Sequence, residues 1–402
     1  MFYGWKIVTA LFVILAFSSG LGFYNHSVVL QALASEKGFA ITMASTAVSI
    51  FFMASGVAGI FIAALLEKYD VRLVVSGGAI LASVCLGSIG AVTTEGQLFV
   101  LYTLFGIGFC ASGLLPATTL VARWFHTQRA RALAIASTGL SVGGIIVTPA
   151  SATLIESQGM VVASPILGLA YLLGVLPLGL LVLRSWPTDL GLDAAGTDIA
   201  NPVSAAALGM TFQQATRDSY FWCLSLAYIF VMLAQVGGIA HQYGLVSEQM
   251  RGRDAALALG VLPLFSIIGR LAGGALLERL NARNFTVTMM LLQGLSLACM
   301  GYFVNPAGLL LGLALFGITV GNLLMLQPLL LASRYGLLQY SRIYAVSNLL
   351  TMIGIAVGPV AMGFLFSAAG TYSLAYLAAA ASSLLACLIF WGSTTRRPEA
   401  SS

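Results

Sequence analysis

Long apolar runs dominate the chain, each about 18–25 residues, the length that crosses a bilayer as a helix. Each run ends in a short stretch carrying charge, Gly or Pro. Twelve membrane spans are predicted: 6–34, 40–66, 72–93, 97–121, 131–155, 162–184, 219–247, 255–277, 285–304, 307–332, 342–368 and 373–392. Transmembrane strands would show short segments of alternating hydrophobicity, a pattern the chain lacks. The longest polar stretch, Arg184 to Asp218, holds Pro187, Asp189, Asp193, Asp198 and Asn201-Pro202 and reads as a linker. The pattern therefore predicts an N-terminal six-span half over 1–184, a linker over 185–218, and a C-terminal half with a short tail over 219–402.

Arg270 interrupts this pattern most sharply, since it lies inside the eighth span, eight residues before Glu278. At 1.5 Å per residue it is about 12 Å from the end of the span, near the middle of a hydrocarbon core about 30 Å thick. An arginine does not give up its proton, and a charge at that depth costs about 3 kcal/mol or more, so Arg270 is expected to face protein or a water-filled cavity. It is either a structural cation or a substrate ligand. All 13 acidic residues fall in loops or at span ends, which favours a substrate carboxylate held by two parallel hydrogen bonds.

Other polar groups also stand in apolar surroundings. His26 follows Tyr24 and Asn25 in the first span, and His241 lies near the far end of the seventh, just after Gly237-Gly238. A histidine titrates near neutral pH, so either is a candidate for carrying a proton alongside an anion. Tyr24, Asn25 and Asn322 are candidate substrate ligands or interhelical hydrogen-bonding groups, as are Gln327 and Asn348. Gly139, Gly143, Gly144 and Pro149 in the fifth span, and Gly354, Gly358, Pro359 and Gly363 in the eleventh, suit close packing and bending.

Composition sharpens the class. Of 402 residues 59% are hydrophobic and 8% charged, with mean hydropathy +0.98; a soluble domain carries about 25% charged residues. This is an integral membrane protein, all α-helical. The net charge of +5 follows from topology and does not call for nucleic acid. With the N-terminus inside, Lys6, Lys68, Arg72, Arg123, Arg129, Arg131, Arg184, Arg217, Arg279, Arg283, Arg334, Arg342, Arg396 and Arg397 all fall on the cytoplasmic side, and only Lys37, Arg251 and Arg253 fall outside. The positive-inside rule thus predicts that both termini are cytoplasmic. MFYGWKIV leads into an apolar run with no small-residue cleavage site, so the first span is expected to be retained. The five cysteines are scattered singly, with no disulfide or metal-ligand spacing. No cofactor motif and no nucleotide-binding Gly-rich loop ending in Lys-Ser/Thr is present.

The two halves repeat. AALLEKYDVR (Ala63 to Arg72) aligns with GALLERLNAR (Gly274 to Arg283) at an offset of 211, which also carries Phe105-Gly106-Ile107 onto Phe316-Gly317-Ile318, Arg123 onto Arg334 and Arg131 onto Arg342. Two like halves in the same order imply a pseudo-twofold axis along the membrane normal and a site at mid-depth.

These motifs resemble the major facilitator superfamily over essentially the whole chain. The family pattern G-x-x-x-D-R-x-G-x-R is similar to Ala63, Glu67, Lys68, Asp70 and Arg72, and its echo to Gly274, Glu278, Arg279, Asn281 and Arg283. Arg123 to Gly144 and Trp186 to Gly196 (WPTDLGLDAAG) resemble the monocarboxylate-porter and oxalate:formate-exchanger branch. In that branch an arginine at the place of Arg270 holds the substrate carboxylate. Its proton-coupled carriers add an aspartate one turn earlier and a lysine in the first span; here Ser266 and, at the span's start, Lys6 are found. Any proton coupling is therefore expected through His241 or His26.

The resemblance implies a secondary transporter in which two halves rock about a central site. Its cargo would be a small organic anion, most simply a monocarboxylate, moved by proton symport or anion exchange. Arg270, His241, Tyr24, Asn25 and Asn322 are the expected binding residues. Glu67, Lys68, Arg72, Arg123, Arg131, Glu278, Arg279, Arg283, Arg334 and Arg342 are the expected cytoplasmic gate. A monomer in a bacterial inner membrane is expected. The alternative is a larger amphipathic cargo such as a drug or siderophore, with Arg270 structural. A membrane enzyme is disfavoured, because no catalytic set stands at membrane depth.

Overall fold

The computed structural model describes residues 2–125, 129–191, 210–277, 279–303, 305–336 and 339–393. Glu278 of the expected gate and the linker residues 192–209 lie outside them. Among the described residues twelve helices are long and apolar enough to cross a membrane: α1 Tyr3–Lys37, α2 Ile41–Lys68, α3 Val71–Ala91, α4 Glu95–Val121, α5 Arg131–Gln158, α6 Met160–Leu181, α7 Ser219–Ala240, α8 Gly252–Gly274, α9 Ala282–Tyr302, α10 Pro306–Tyr335, α11 Arg342–Ala369 and α12 Tyr372–Trp391. In apolar surroundings a backbone must satisfy its own hydrogen bonds, so each apolar run closes into a helix.

Several helices depart from a continuous rod: α4 is interrupted at Gly113 and α8 at Leu259–Gly260, and further departures occur in α1, after α7 and in α5. In α1 the regular helix stops at Gly22 and resumes at His26. Phe23 and Tyr24 both donate their N–H to the Ser19 carbonyl, and Ser27 Oγ donates to Tyr24 O at 3.0 Å to restart the coil. The seventh span, expected to be helical through 247, ends at Ala240; His241 takes φ −103°, ψ 5°, and a short helix follows over Gln242–Gln249. Tyr376 Oη donates to Gly238 O at 2.6 Å, the acceptor that the Gln242 N–H would use in an unbroken helix. In α5, Gly143–Val147 forms a π-helical turn, a local widening common at functional sites.

Helix pairing follows the small residues. α1 packs on α5, α2 on α4 and α3 on α6. The later helices repeat this plan: α9 packs on α12, α7 meets α11 at Gly354 and Gly358, and α8 meets α10 at Gly269 and Gly321. Gly139 and Gly143 of α5 face the Phe12 and Ala16 carbonyls of α1, as Gly354 and Gly358 face those of Ile229 and Leu233 on α7. Lipid supplies no hydrophobic force between helices, so such backbone-to-backbone fits carry the association. A Cβ at Gly143 would overlap the Ala16 carbonyl oxygen. Gly143→Val is therefore expected to cost about 1–3 kcal/mol or more by overpacking, read as a lower melting temperature in detergent, whereas Gly77→Ala, with open space at its Cβ, leaves melting unchanged.

Two compact units emerge. One comprises Met1–Asp198 with Ala240–Leu264, the other Ile199–Ile239 with Phe265–Ser402. Residues 240–264, although beyond the linker, pack on the first six spans. Pro263 lies against Gly144, and Gly260 faces the Ile145 backbone.

Candidate functional site

Arg270 stands within the continuous helix Val261–Leu277 and is half-buried. Four small residues, Ser266, Gly269, Ala272 and Gly273, lie within one turn of it along the chain. Gly269 lies so close to the Ile318 backbone of α10 that a Cβ there would sit 2.6 Å from the Ile318 Cα. Asn322, one turn further along α10, donates from Nδ2 to Gly269 O and to Ile318 O, each at 2.9 Å. Gly273 faces the same carboxamide, and the Ser266 carbonyl faces Gly321. Ser266 is fully buried. Arg270 and Asn322 thus share one unit and one helix–helix joint.

Tyr24, Asn25, His26 and His241 belong to the other unit. Tyr24 is buried at the break in α1, with its ring against Gly144 of α5. Asn25 is fully buried, and neither atom of its carboxamide has a hydrogen-bonding partner among the described residues. A buried amide in that state carries a desolvation cost that a ligand or water could relieve. His26 is enclosed by Phe51, Phe52, Tyr102 and Phe105, with ring centroids 4.3, 5.6, 5.7 and 6.1 Å away. Its Nε2 and the Tyr102 hydroxyl are both buried without partners among the described residues.

His241, fully buried at the break after α7, places Nε2 3.2 Å from Ser45 Oγ of α2. Ser45 Oγ gives its proton to Ile41 O at 2.5 Å, so the hydroxyl accepts from His241 and the imidazole proton rests on Nε2.

Gln235 went unnoticed in the sequence. It is fully buried in α7 with neither carboxamide atom partnered among the described residues. The rule that singled out Tyr24 and Asn25, a polar side chain inside an apolar span, would have found it. Gln327 donates to Ser347 Oγ and Thr351 Oγ1, both at 2.9 Å, and so joins α10 to α11. Asn348 is half-buried.

Several residues expected to form the gate make contacts inside their own unit. Arg72 binds Asp70 at 2.6 Å, while Asp70 Oδ1 caps α3 by accepting Arg72 N–H; Asn281 caps α9 in the same way through Arg283 N–H. The Arg72 guanidinium holds the Asp70 carboxyl below the usual carboxylate range. The small stability this half-exposed pair adds is therefore complete at neutral pH and fades as pH falls through that lowered value. Arg123 donates to Leu66 O at 2.8 Å and stacks 4.3 Å over Trp186. Arg131 approaches the Trp5 ring, Lys68 the Tyr69 ring and Arg342 the Phe212 ring. Arg283 donates to Trp391 O and Ser393 O. Glu67 and Arg279 are exposed. Arg334 forms a buried ion pair with Asp218 at 2.7 Å, stacks over Tyr220, and shares Asp218 with the Tyr335 hydroxyl. The acidic partner Asp218 was missed because it looked like the ordinary polar end of a linker.

Comparison with known proteins adds lineage. Monocarboxylate transporter 11 of Mus musculus is 27% identical over 416 residues, covering 97% of this chain and 87% of that protein. The transporter asaE of Aspergillus flavus is 25% identical over 331 residues, covering 81% and 71%; the aspyridones efflux protein apdF of Emericella nidulans is 22% identical over 354 residues, covering 86% and 68%. Among solved structures, a bacterial homologue of the human lysosomal transporter Spinster superposes with TM-score 0.77 at 16% identity over 97% of each chain. The nucleoside transporter NupG superposes with TM-score 0.74 at 12% identity, covering 97% of this chain and all of that one. The family model described as Major Facilitator Superfamily matches residues 12–336 and 240–402. With twelve spans and this helix pairing, the chain belongs to the Major Facilitator Superfamily and is a membrane transporter.

Proposed function

We propose that this transporter moves a small organic anion, most simply a monocarboxylate, by alternating access driven by a proton gradient or by exchange for another anion. The observation that carries the reading is Arg270, a permanent cation nine residues into a helix of seventeen and half-buried there. Its planar fork suits a carboxylate's two oxygens. Relatives named as monocarboxylate transporters support it. Tyr24, Asn25, His241 and Asn322 are the polar residues assigned to the same function, acting in the bacterial cytoplasmic membrane with both termini inside and as a monomer.

A second reading, export of a larger amphipathic compound, is favoured by the fungal efflux relatives. Uptake of a labelled monocarboxylate panel into proteoliposomes, with and without an inward pH gradient, separates the two. Saturable uptake of at least one acid supports the anion reading. Export of amphipathic compounds with no acid uptake overturns it.

Proton coupling, where the gradient stimulates uptake, is assigned to His241 in preference to His26. His241 holds a hydrogen bond across two helices, whereas aromatic rings enclose His26. His241→Gln is expected to abolish stimulation by the gradient and His26→Phe to leave it. Stimulation that survives replacement of both histidines would remove them from the mechanism.

A further inference from the structure

We infer that Asn322 is a positioning residue for Arg270: it clamps α8 to α10 at the peptide immediately before the arginine and so sets the depth and direction of the guanidinium. This rests on the anion reading of Arg270 and goes beyond it, because it removes Asn322 from the set of direct ligands and gives it a different task.

The geometry points to this role in three ways. Both hydrogens of the Asn322 amide are committed, one across the joint to Gly269 O and one along its own helix to Ile318 O. An NH₂ group has two donors, so none remains for a substrate oxygen. The two flanking carbonyls also fix which end of the carboxamide is nitrogen, since a flipped amide would set oxygen against oxygen. Next, Gly269 and Gly273 lie one turn apart on α8 and bring its backbone against α10. A Cβ at Gly269 would meet the Ile318 backbone, and one at Gly273 would overlap the Asn322 carboxamide itself. Gly321 repeats the fit from α10 against the Ser266 carbonyl. Finally, Arg270 follows Gly269 directly, about 100° further round a helix of 3.6 residues per turn. It therefore leaves the clamped face sideways rather than pointing into it. A clamp on the Gly269 carbonyl sets the helix at that turn without occupying the space of the side chain next to it.

A charged residue in this place would act differently. A carboxylate at position 322 cannot donate to either carbonyl and would attract Arg270, competing with a substrate anion. The neutral amide is the chemistry that holds the helix without setting a competing anion beside Arg270.

The experiment is monocarboxylate uptake in proteoliposomes for wild type, Arg270→Gln, Asn322→Leu, Asn322→Ala, Asn322→Asp, Gly273→Ala and the double variant Gly273→Ala/Asn322→Ala, each with its melting temperature. A displacement of about 1 Å at a binding group can cost up to about 100-fold, so Asn322→Leu and Gly273→Ala are each expected to raise KM about tenfold or more, with the maximal rate changed far less. The double variant is expected to be no worse than Gly273→Ala alone, because the added methyl then has nothing to displace; strictly additive effects would overturn the coupling. Asn322→Asp is expected to transport poorly at neutral pH and to recover as pH falls and its carboxyl regains a donor hydrogen. A purely structural asparagine would lower the melting temperature of its variants without moving KM or producing that pH profile, and this outcome overturns the inference. Normal KM in the Asn322 and Gly273 variants alongside a dead Arg270→Gln overturns this inference alone. Wild-type uptake by Arg270→Gln overturns it together with the anion reading.

Discussion

Arg270→Gln is expected to lower kcat/KM for monocarboxylate uptake by about 30-fold to 1,000-fold, the equivalent of roughly 2–4 kcal/mol, within the range lost when one partner of a desolvated, hydrogen-bonded charge pair is removed. Glutamine keeps much of the volume and some hydrogen bonding but no charge, so the loss isolates the cation. Arg270→Lys keeps the charge without the planar fork and is expected to fall between the two. Uptake into proteoliposomes of protein shown to be monodisperse is the measurement. Because Arg270 stands in a helix closely packed at Gly269, the melting temperature of Arg270→Gln should stay close to wild type. A variant that melts normally and transports normally would make the guanidinium a structural group and would move the amphipathic-cargo reading into first place.

The second large effect is on stability. Asp218 and Arg334 form an ion pair whose side chains are 6% and 9% exposed, and Asp218 also accepts from Tyr335 Oη and Tyr220 N–H. Asp218→Ala removes the carboxylate partner of the buried guanidinium and of two further donors at once, a change expected to cost about 3–5 kcal/mol. Replacing both partners by apolar residues of similar volume, Asp218→Leu with Arg334→Met, should recover much of that cost, since neither charge then remains desolvated. Asp70→Ala breaks a pair whose side chains are 30% and 40% exposed and removes the cap of α3, and should cost about 1–2 kcal/mol. Thermal unfolding in detergent ranks the three; an Asp218→Ala protein as stable as Asp70→Ala would show that the buried pair carries little. The same comparison bears on the gate, because an arginine held by Asp218 within its own unit is not available for another partner while that pair lasts.

Much of this could be read along the chain. The twelve spans follow from the requirement that a backbone in lipid satisfy itself, which makes an apolar run of sufficient length a helix whatever its neighbours do. The doubled motif became legible for a local reason as well: Asp70 and Asn281 each cap the next helix through the N–H two residues on, an interaction written within three residues. Arg270 was conspicuous because a permanent charge stands out against an apolar background in any sequence. The breaks in α1 and after α7 were not legible. Gly237 and Gly238 permit an interruption, but Tyr376, more than 130 residues away, supplies the donor that takes the Gly238 carbonyl.

The sequence by itself thus determined the family, the number of spans and the one cation at depth, all of which depend on local hydropathy, charge and short-range capping. Only the tertiary structure decided what the other polar groups do. Asn25, Asn322 and Gln327 are equally polar residues in equally apolar runs. One is buried with its amide unpartnered among the described residues, one clamps the peptide before Arg270, and one joins α10 to α11. Their roles depend on which carbonyl or hydroxyl a distant helix brings within 3 Å. That proximity is set by where glycines on separate helices let two backbones touch, and composition does not carry it.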